Sequence, residues 1–108
     1  MAVVKHLITV YKGRNSPVSF DIKLNDGDYN LSSENVSKIG IVIGGVEYDS
    51  DDNYIEYVGS TVTFKLGSIP NPPAQKLSGR LVIYSNKYPL GRPIYSEKTD
   101  HRLYFEFI

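Results

Sequence analysis

Residues 18–24 read Val18-Ser19-Phe20-Asp21-Ile22-Lys23-Leu24, an unbroken alternation of apolar and polar side chains. Successive side chains of a β-strand point to opposite faces, so this period of two predicts a strand with one buried face and one solvated face. The apolar side chains of this stretch are therefore expected to lie in the core of a β-sheet protein.

A second strand precedes this one. Residues 3–11 place four side chains on one face, those of Val4, His6, Ile8 and Val10. The polar segment 12–17 contains a glycine and a proline, which favour a loop between the two strands. Between the turn cluster at 25–28 and Asn35 the chain is polar except for Tyr29 and Leu31. We expect Leu31 to reach the core from a loop. At most one short turn of helix is predicted, over residues 32–38.

Two hairpins are predicted in the middle of the chain. Three isoleucines share one parity between residues 39 and 43, and Gly44-Gly45 can adopt the positive φ angles of a two-residue turn. Segments 54–58 and 61–66 are rich in β-branched and aromatic residues and meet at Gly59-Ser60. Each hairpin adds two strands to the predicted fold.

The last third of the chain continues the same pattern. Residues 77–85 and 103–107 predict strands, and residues 88–99 predict an irregular loop or a bulged edge. Residues 69–73 hold three prolines, which predicts an exposed connection. Seven to nine short strands, spaced by about ten residues, favour one all-β domain over residues 1–108, built as an antiparallel sandwich or small barrel.

Composition narrows the range of functions. The chain has 108 residues, no cysteine, and twelve basic residues that balance twelve acidic ones. Balanced charge provides no strong single-signed field to attract nucleic acid or an anionic membrane, and disulfides are excluded. The amino-terminal residues carry no secretory signal pattern and no stretch is long enough for a membrane helix, so synthesis in the cytoplasm of the producing cell is expected.

Few residues offer catalytic or metal-binding chemistry. His6 and His101 are the only histidines, and neither has the spacing of a metal motif, so both are interpreted as packed or surface residues. Residues 49–53 begin like a calcium loop, but Tyr54 and Ser60 stand where the glycine and the bidentate glutamate are needed. We find no nucleophile elbow and no phosphate loop, so the sequence predicts no cofactor and no enzymatic activity.

Nine tyrosines give the chain its main binding potential. One group, Tyr48, Tyr54 and Tyr57, could form a stacking platform for a host glycan. A second group, Tyr84, Tyr88 and Tyr95, lies near three arginines in the sequence, which are Arg80, Arg92 and Arg102. Aromatic and arginine side chains are enriched at interface hot spots. The residues predicted to bind a partner are Tyr84, Tyr88, Arg92 and Tyr95, in or beside the irregular loop.

Several short motifs, which together cover most of residues 14–108, form a further pattern. They are Pro17 to Leu24, Asp26-Gly27, Tyr29-Asn30-Leu31, Val36 to Ile43, Val62 to Leu66, Leu77 to Ile83, Ile94 to Glu97 and Leu103 to Ile108. Together these motifs resemble the amino-terminal immunoglobulin-like domain of phage baseplate upper proteins.

The resemblance implies an immunoglobulin-like β-sandwich that serves as a structural component of a tailed-phage virion. Such a module would dock on other virion proteins, without an active site, as a capsid decoration or as an accessory part of the tail or baseplate. Virion parts usually occupy symmetric positions, so a homo-oligomer is a further expectation. A carbohydrate-binding module that uses the surface tyrosines is the alternative.

Overall fold

The computed structural model describes residues 4–24, 27–99 and 101–108, and these residues form strands and turns without any helix. The strands in chain order are β1 (Val4–Val10), β2 (Val18–Asp21), β3 (Lys23–Leu24), β4 (Gly27–Asp28), β5 (Lys38–Ile43), β6 (Val46–Asp49), β7 (Ile55–Val58), β8 (Thr61–Phe64), β9 (Leu77–Tyr84), β10 (Arg92–Tyr95) and β11 (His101–Phe107). The predicted all-β class is confirmed. Within the described part of the chain, no segment has the helical length and apolar character that crossing a membrane requires.

Nine of the strands belong to two sheets. The larger sheet has the order β1-β11-β9-β5-β6, with β10 also paired to β9, and the smaller has the order β2-β8-β7. Strands β3 and β4 form a separate two-stranded ribbon. The pairing is antiparallel except between β1 and β11, which run parallel. The prediction of a mostly antiparallel sandwich is confirmed, and its immunoglobulin-like strand arrangement stays a prediction.

Aromatic side chains of the smaller sheet pack against aromatic side chains of the larger sheet, so that the two sheets form two stacked layers. Phe64 of β8 meets Phe105 of β11 edge to face, with 5.2 Å between ring centroids. Phe20 of β2 stacks on Tyr95 of β10 at 6.1 Å. Both phenylalanines of the first pair are fully buried, and aromatic pairs in this geometry contribute stability beyond the area that they bury.

The alternating stretch 18–24 forms two strands rather than one. Its pattern is confirmed as far as Ile22, which is fully buried, while Ser19 and Asp21 are exposed. The strand divides at Ile22 because this residue pairs elsewhere. Its N–H donates to the Ser60 carbonyl at 2.8 Å, and its own carbonyl accepts from the Tyr29 N–H at 2.9 Å.

The amino-terminal strand pairs in an unexpected direction. Ile8 and Val10 are buried as predicted, whereas Val4 is 41% exposed. The antiparallel prediction is wrong for β1, which lies parallel to β11 with Val4 opposite His101 and Val10 opposite Phe107. The reason is topological. The first and the last strand of the larger sheet in chain order, β1 and β11, are neighbours in that sheet and run in the same direction.

The remaining local predictions can be compared with the structure directly. Both hairpins are present, and Gly44, Gly45 and Gly59 have the expected positive φ angles. Leu31 is fully buried, as predicted, but residues 32–38 contain turns and no helix. The β10 edge carries the predicted bulge.

The proline-rich connection and the first turn cluster need separate comment. Residues 69–73 form no strand, but Ile69 is only 5% exposed, so the prediction of an exposed connection is wrong at this residue. A single apolar side chain here helps to close the core, while the prolines beside it keep the backbone out of the sheets. Of the cluster at 25–28, Asn25 and Asp26 lie outside the described residues.

Gly67 marks a close crossing of two loops, and this crossing provides a test of the fold. A Cβ added at Gly67 would lie 1.8 Å from the backbone oxygen of Arg14, which cannot yield without moving the loop. We expect Gly67→Ala to lower the free energy of unfolding by about 2 kcal/mol or more, measured by chemical denaturation.

Gly40→Ala is the matched control for Gly67→Ala. A Cβ at Gly40 would meet the Glu47 side chain first, at 3.0 Å, and this side chain, which bonds to the Tyr84 hydroxyl, would shift rather than the backbone. We expect Gly40→Ala to lower the free energy of unfolding by about 1 kcal/mol at most, less than Gly67→Ala does. Equal effects of the two substitutions would show that the loop crossing is not tightly constrained.

Candidate interaction surface

The connection between β9 and β10 forms a closed, hydrogen-bonded loop, which we call the Tyr88 loop (residues 85–92). The Tyr88 N–H donates to the Ser85 carbonyl at 3.1 Å and to the Ser85 hydroxyl at 3.2 Å. The Tyr88 carbonyl accepts from the N–H groups of Ser85 and Gly91, at 3.3 and 3.1 Å. These bonds give the loop a defined shape, so the side chains at its tip are held in place before any partner arrives.

The tip of the Tyr88 loop presents an aromatic, an aliphatic and two basic side chains. Leu90 is 94% exposed, the most exposed large apolar side chain of the described residues. The Arg92 Nη1 donates to the Tyr88 hydroxyl at 3.3 Å, and the Arg92 guanidinium carbon lies 5.3 Å from the Tyr88 ring centroid. Lys87 Nζ lies 5.5 Å from the same centroid. Sequence reasoning selected Tyr88 and Arg92 but missed Leu90, because an isolated leucine has no periodicity to reveal its exposure.

Tyr84 supports the loop from the outer face of the larger sheet. Its hydroxyl is 2.7 and 2.8 Å from the two carboxylate oxygens of Glu47, and Lys38 Nζ lies 4.4 Å above its ring. Burial and the Glu47 carboxylate raise the pKa of Tyr84 to about 12. A Cβ at Gly91 would lie 2.8 Å from the ring, so the backbone of the Tyr88 loop rests directly on Tyr84.

Tyr95, the fourth predicted partner-binding residue, lies in the core. It is 1% exposed, and its hydroxyl accepts from the Lys23 N–H at 2.7 Å and donates to the Lys23 carbonyl at 3.0 Å. The prediction that Tyr95 contacts a partner directly is therefore wrong, because its side chain is buried. A tyrosine at this position buries its ring and satisfies backbone groups of another strand, which the sequence pattern could not distinguish from surface exposure.

Removing the Tyr95 hydroxyl tests its structural role. Tyr95→Phe keeps the buried ring but removes two hydrogen bonds to the Lys23 backbone, so we expect a loss of about 1–2 kcal/mol in unfolding free energy. Tyr104→Phe is the control, since the half-buried Tyr104 hydroxyl has no hydrogen bond within the described residues. Equal stability of both variants in chemical denaturation would contradict this role.

The other two arginines of the predicted cluster are already engaged. Arg80 Nη2 lies 2.9 Å from Glu97 Oε1. A hydrogen bond from the Glu97 backbone first, and then the one from Arg80, hold the pKa of Glu97 below its usual value. Arg102 Nε donates to the Thr99 carbonyl at 3.0 Å. Arg92, which bonds only to Tyr88, has the most remaining capacity to bind a partner.

The two histidines meet, although 95 residues separate them in the sequence. His6 Nε2 and His101 Nδ1 are 3.1 Å apart, so one ring donates its proton to the other. The His6 ring also stacks on Phe20 at 5.7 Å, and the His101 ring stacks on Tyr95 at 5.4 Å. The parallel pairing of β1 with β11 creates this contact, and no spacing rule in the sequence could have revealed it.

The histidine pair makes stability depend on pH. Burial first, and then electrostatic repulsion from His101, lower the pKa of His6 below the ordinary histidine value of 6.5. A base whose pKa is lowered by folding binds its proton more tightly in the unfolded chain. The stability that it contributes is therefore fully present above pH 6.5 and is lost as the pH falls through the lowered folded value.

We expect the thermal unfolding midpoint of the wild type to decrease as the pH is lowered from about 7.5 to about 5. The decrease should be smaller in His6→Phe, because phenylalanine keeps a stacking ring but has no titrating group. A histidine NMR titration of the wild type should place the His6 pKa below that of a free histidine. An unshifted His6 pKa, or the same pH slope in His6→Phe, would contradict the coupling.

The calcium-like segment 49–53 forms bonds within the protein itself. At the start of the calcium-like segment, Asp49 Oδ1 accepts from the Asp52 N–H at 3.1 Å, and Asp49 Oδ2 is 3.9 Å from Lys38 Nζ. No group of three or more His, Cys, Asp or Glu side chains in residues 4–24, 27–99 and 101–108 is placed to hold a metal ion.

The tyrosines considered as a glycan platform are half-buried and pack against the core. The rings of Tyr48 and Tyr54 meet edge to face at 5.3 Å, and the Tyr57 hydroxyl donates to the Val36 carbonyl at 2.8 Å. Burial raises the pKa of Tyr48 and of Tyr57. This geometry does not offer the flat, exposed ring faces on which a sugar stacks.

Comparison with known proteins finds no family model that matches this chain and no curated protein that is significantly similar to it. The resemblance to phage baseplate upper proteins therefore stays a prediction. The Tyr88 loop carries Leu90, the most exposed large apolar side chain of the described residues, on a backbone closed by hydrogen bonds.

Proposed function

We propose that this chain is a non-enzymatic structural protein of a tailed-phage virion, located in the capsid as a decoration or in the tail or baseplate as an accessory component. It functions by binding other virion proteins. The assignment to a phage particle is supported by the resemblance of residues 14–108 to the amino-terminal domain of baseplate upper proteins. The mode of action is supported by one structural observation, the exposure of Leu90 on a rigid loop.

The Tyr88 loop has the composition of an interface hot spot. Tyr88, Leu90 and Arg92 stand within five consecutive residues. Tyrosine and arginine are enriched among the residues that contribute most of the binding energy in protein interfaces, and the protruding leucine adds apolar area that a partner could bury. Because the loop is held by its own backbone hydrogen bonds, binding would cost little ordering entropy. These features favour a partner that inserts Leu90 into an apolar pocket.

The charges around Leu90 further define the partner. Lys87 and Arg92 flank the leucine, and both are exposed. Acidic side chains at the rim of the partner's pocket would complement them and orient the docking. We therefore propose a binding site on a neighbouring virion protein that combines an apolar pocket with an acidic rim.

The proposal is tested by particle composition. Particles produced by the phage that encodes this chain should contain it, detected by mass spectrometry of purified virions. Leu90→Asp places a charge into the apolar pocket and should reduce incorporation about tenfold or more, since hot-spot substitutions cost about 2 kcal/mol or more. Val58→Asp is the control, because Val58 is 79% exposed in the smaller sheet.

The outcomes separate the two parts of the proposal. Virions without this chain would reject the structural role itself. Virions that incorporate Leu90→Asp as well as Val58→Asp would reject the Tyr88 loop as the contact surface. Thermal denaturation of both variants verifies that each remains folded.

A further inference from the structure

A cleft of about 340 Å³ is lined by residues other than those of the Tyr88 loop. It forms where the loop between β1 and β2 crosses the segment that follows β8, beside the turn before β7. Its polar lining side chains come from three connections and are Arg14, Asn15, Ser16, Asn53, Lys65 and Ser68. The volume lies at the lower end of the range of about 300–1,000 Å³ typical of small-molecule sites.

The backbone around the cleft is fixed. The Gly13 N–H donates to the Gly67 carbonyl at 2.7 Å, and the Lys65 N–H donates to the Tyr54 carbonyl at 2.8 Å. Asn53 has a φ of 63°, a left-handed conformation that asparagine tolerates better than most residues. Gly67 leaves no space for a Cβ against the Arg14 backbone. The backbone positions from which the lining side chains extend are therefore defined before any ligand binds.

The cleft is positively charged. Among residues 4–24, 27–99 and 101–108, the charged residues that line it are Arg14 and Lys65, and no acidic side chain of these ranges lines it. Lys65 Nζ is 3.1 Å from Glu56 Oε2, so part of its charge is balanced. The Arg14 guanidinium has no hydrogen-bond or ion-pair partner within the part of the chain that the structure describes. A guanidinium of this kind can bind a carboxylate or a phosphate through two parallel hydrogen bonds.

The neutral lining residues also have unused hydrogen-bonding capacity. The side chains of Asn15, Ser16, Asn53 and Ser68 make no hydrogen bond among the described residues. Amide and hydroxyl groups can both donate and accept, which is the complement that a ligand rich in hydroxyl groups requires. Arginine at one side and four such groups around it point to a ligand that is both anionic and hydroxylated.

We infer that this cleft binds a small sugar that carries one negative group, a carboxylate or a phosphate, with Arg14 holding the anion and the amide and hydroxyl side chains binding the sugar hydroxyls. The inference is independent of the proposed virion role, since it uses different connections of the fold. The lining side chains are largely exposed, so water competes with the ligand and binding in the millimolar range is expected.

The test is an NMR titration of the ¹⁵N-labelled chain with glucuronate and with glucose 6-phosphate, each to about 10 mM, which detects millimolar binding. Glucose and inorganic phosphate are titrated separately as the neutral and the sugar-free probes. We expect at least one charged sugar to shift the amide signals of residues 14–17, 53 and 65–68, and to bind more tightly than either probe. Which of the two binds better distinguishes a sugar acid from a sugar phosphate.

Arg14→Gln should weaken binding of the charged sugar about fivefold, the upper end of what an exposed charge pair contributes. Lys76→Gln removes an exposed positive charge outside the cleft and should bind like the wild type. The inference is overturned if neither charged sugar shifts these signals, if Arg14→Gln binds as well as Lys76→Gln, or if inorganic phosphate alone binds as tightly as the sugars. Unchanged thermal midpoints would verify that both variants fold.

Discussion

The contact between Phe64 and Phe105 is the point at which the two layers of this protein become one core. Phe64 lies on the middle strand of the smaller sheet, and Phe105 lies on β11, which pairs with both β1 and β9. A three-stranded sheet is close to the smallest that can be stable alone, and its hydrophobic face must be covered. The aromatic contact with the larger sheet provides that cover, and the loops that connect the layers take their positions from it.

Much of this arrangement could be predicted from local periodicity. The alternation at residues 61–66 fixes which side chains of β8 enter the core, and Val62, Phe64 and Leu66 are all buried to within 1% exposure. The isoleucines of β5 and the Gly44-Gly45 turn behave in the same way. Such signals are reliable because they require only neighbours in the sequence to agree, and a one-residue slip would expose every apolar side chain of the strand.

The features that periodicity missed all depend on distant residues. The parallel pairing of β1 with β11, the contact of His6 with His101 and the hydrogen bonds from Tyr95 to Lys23 join parts of the chain that are far apart in sequence. Tyr95 shows the consequence for the candidate site, because its neighbours in sequence gave it the character of a loop residue while the fold placed it in the core. Leu90 shows the reverse, since only the folded loop reveals that nothing covers it.

The distribution of satisfied polar groups explains why binding is expected at the loops. On the outer face of the larger sheet, Tyr84 bonds to Glu47, Lys38 approaches Asp49, and Arg80 pairs with Glu97. A partner docking there would have to displace these interactions and would gain only their replacement. Leu90 and Arg14 have no such local commitments within the described residues. A partner at either proposed position would therefore displace water but would break no interaction of Leu90 or Arg14 with the described residues.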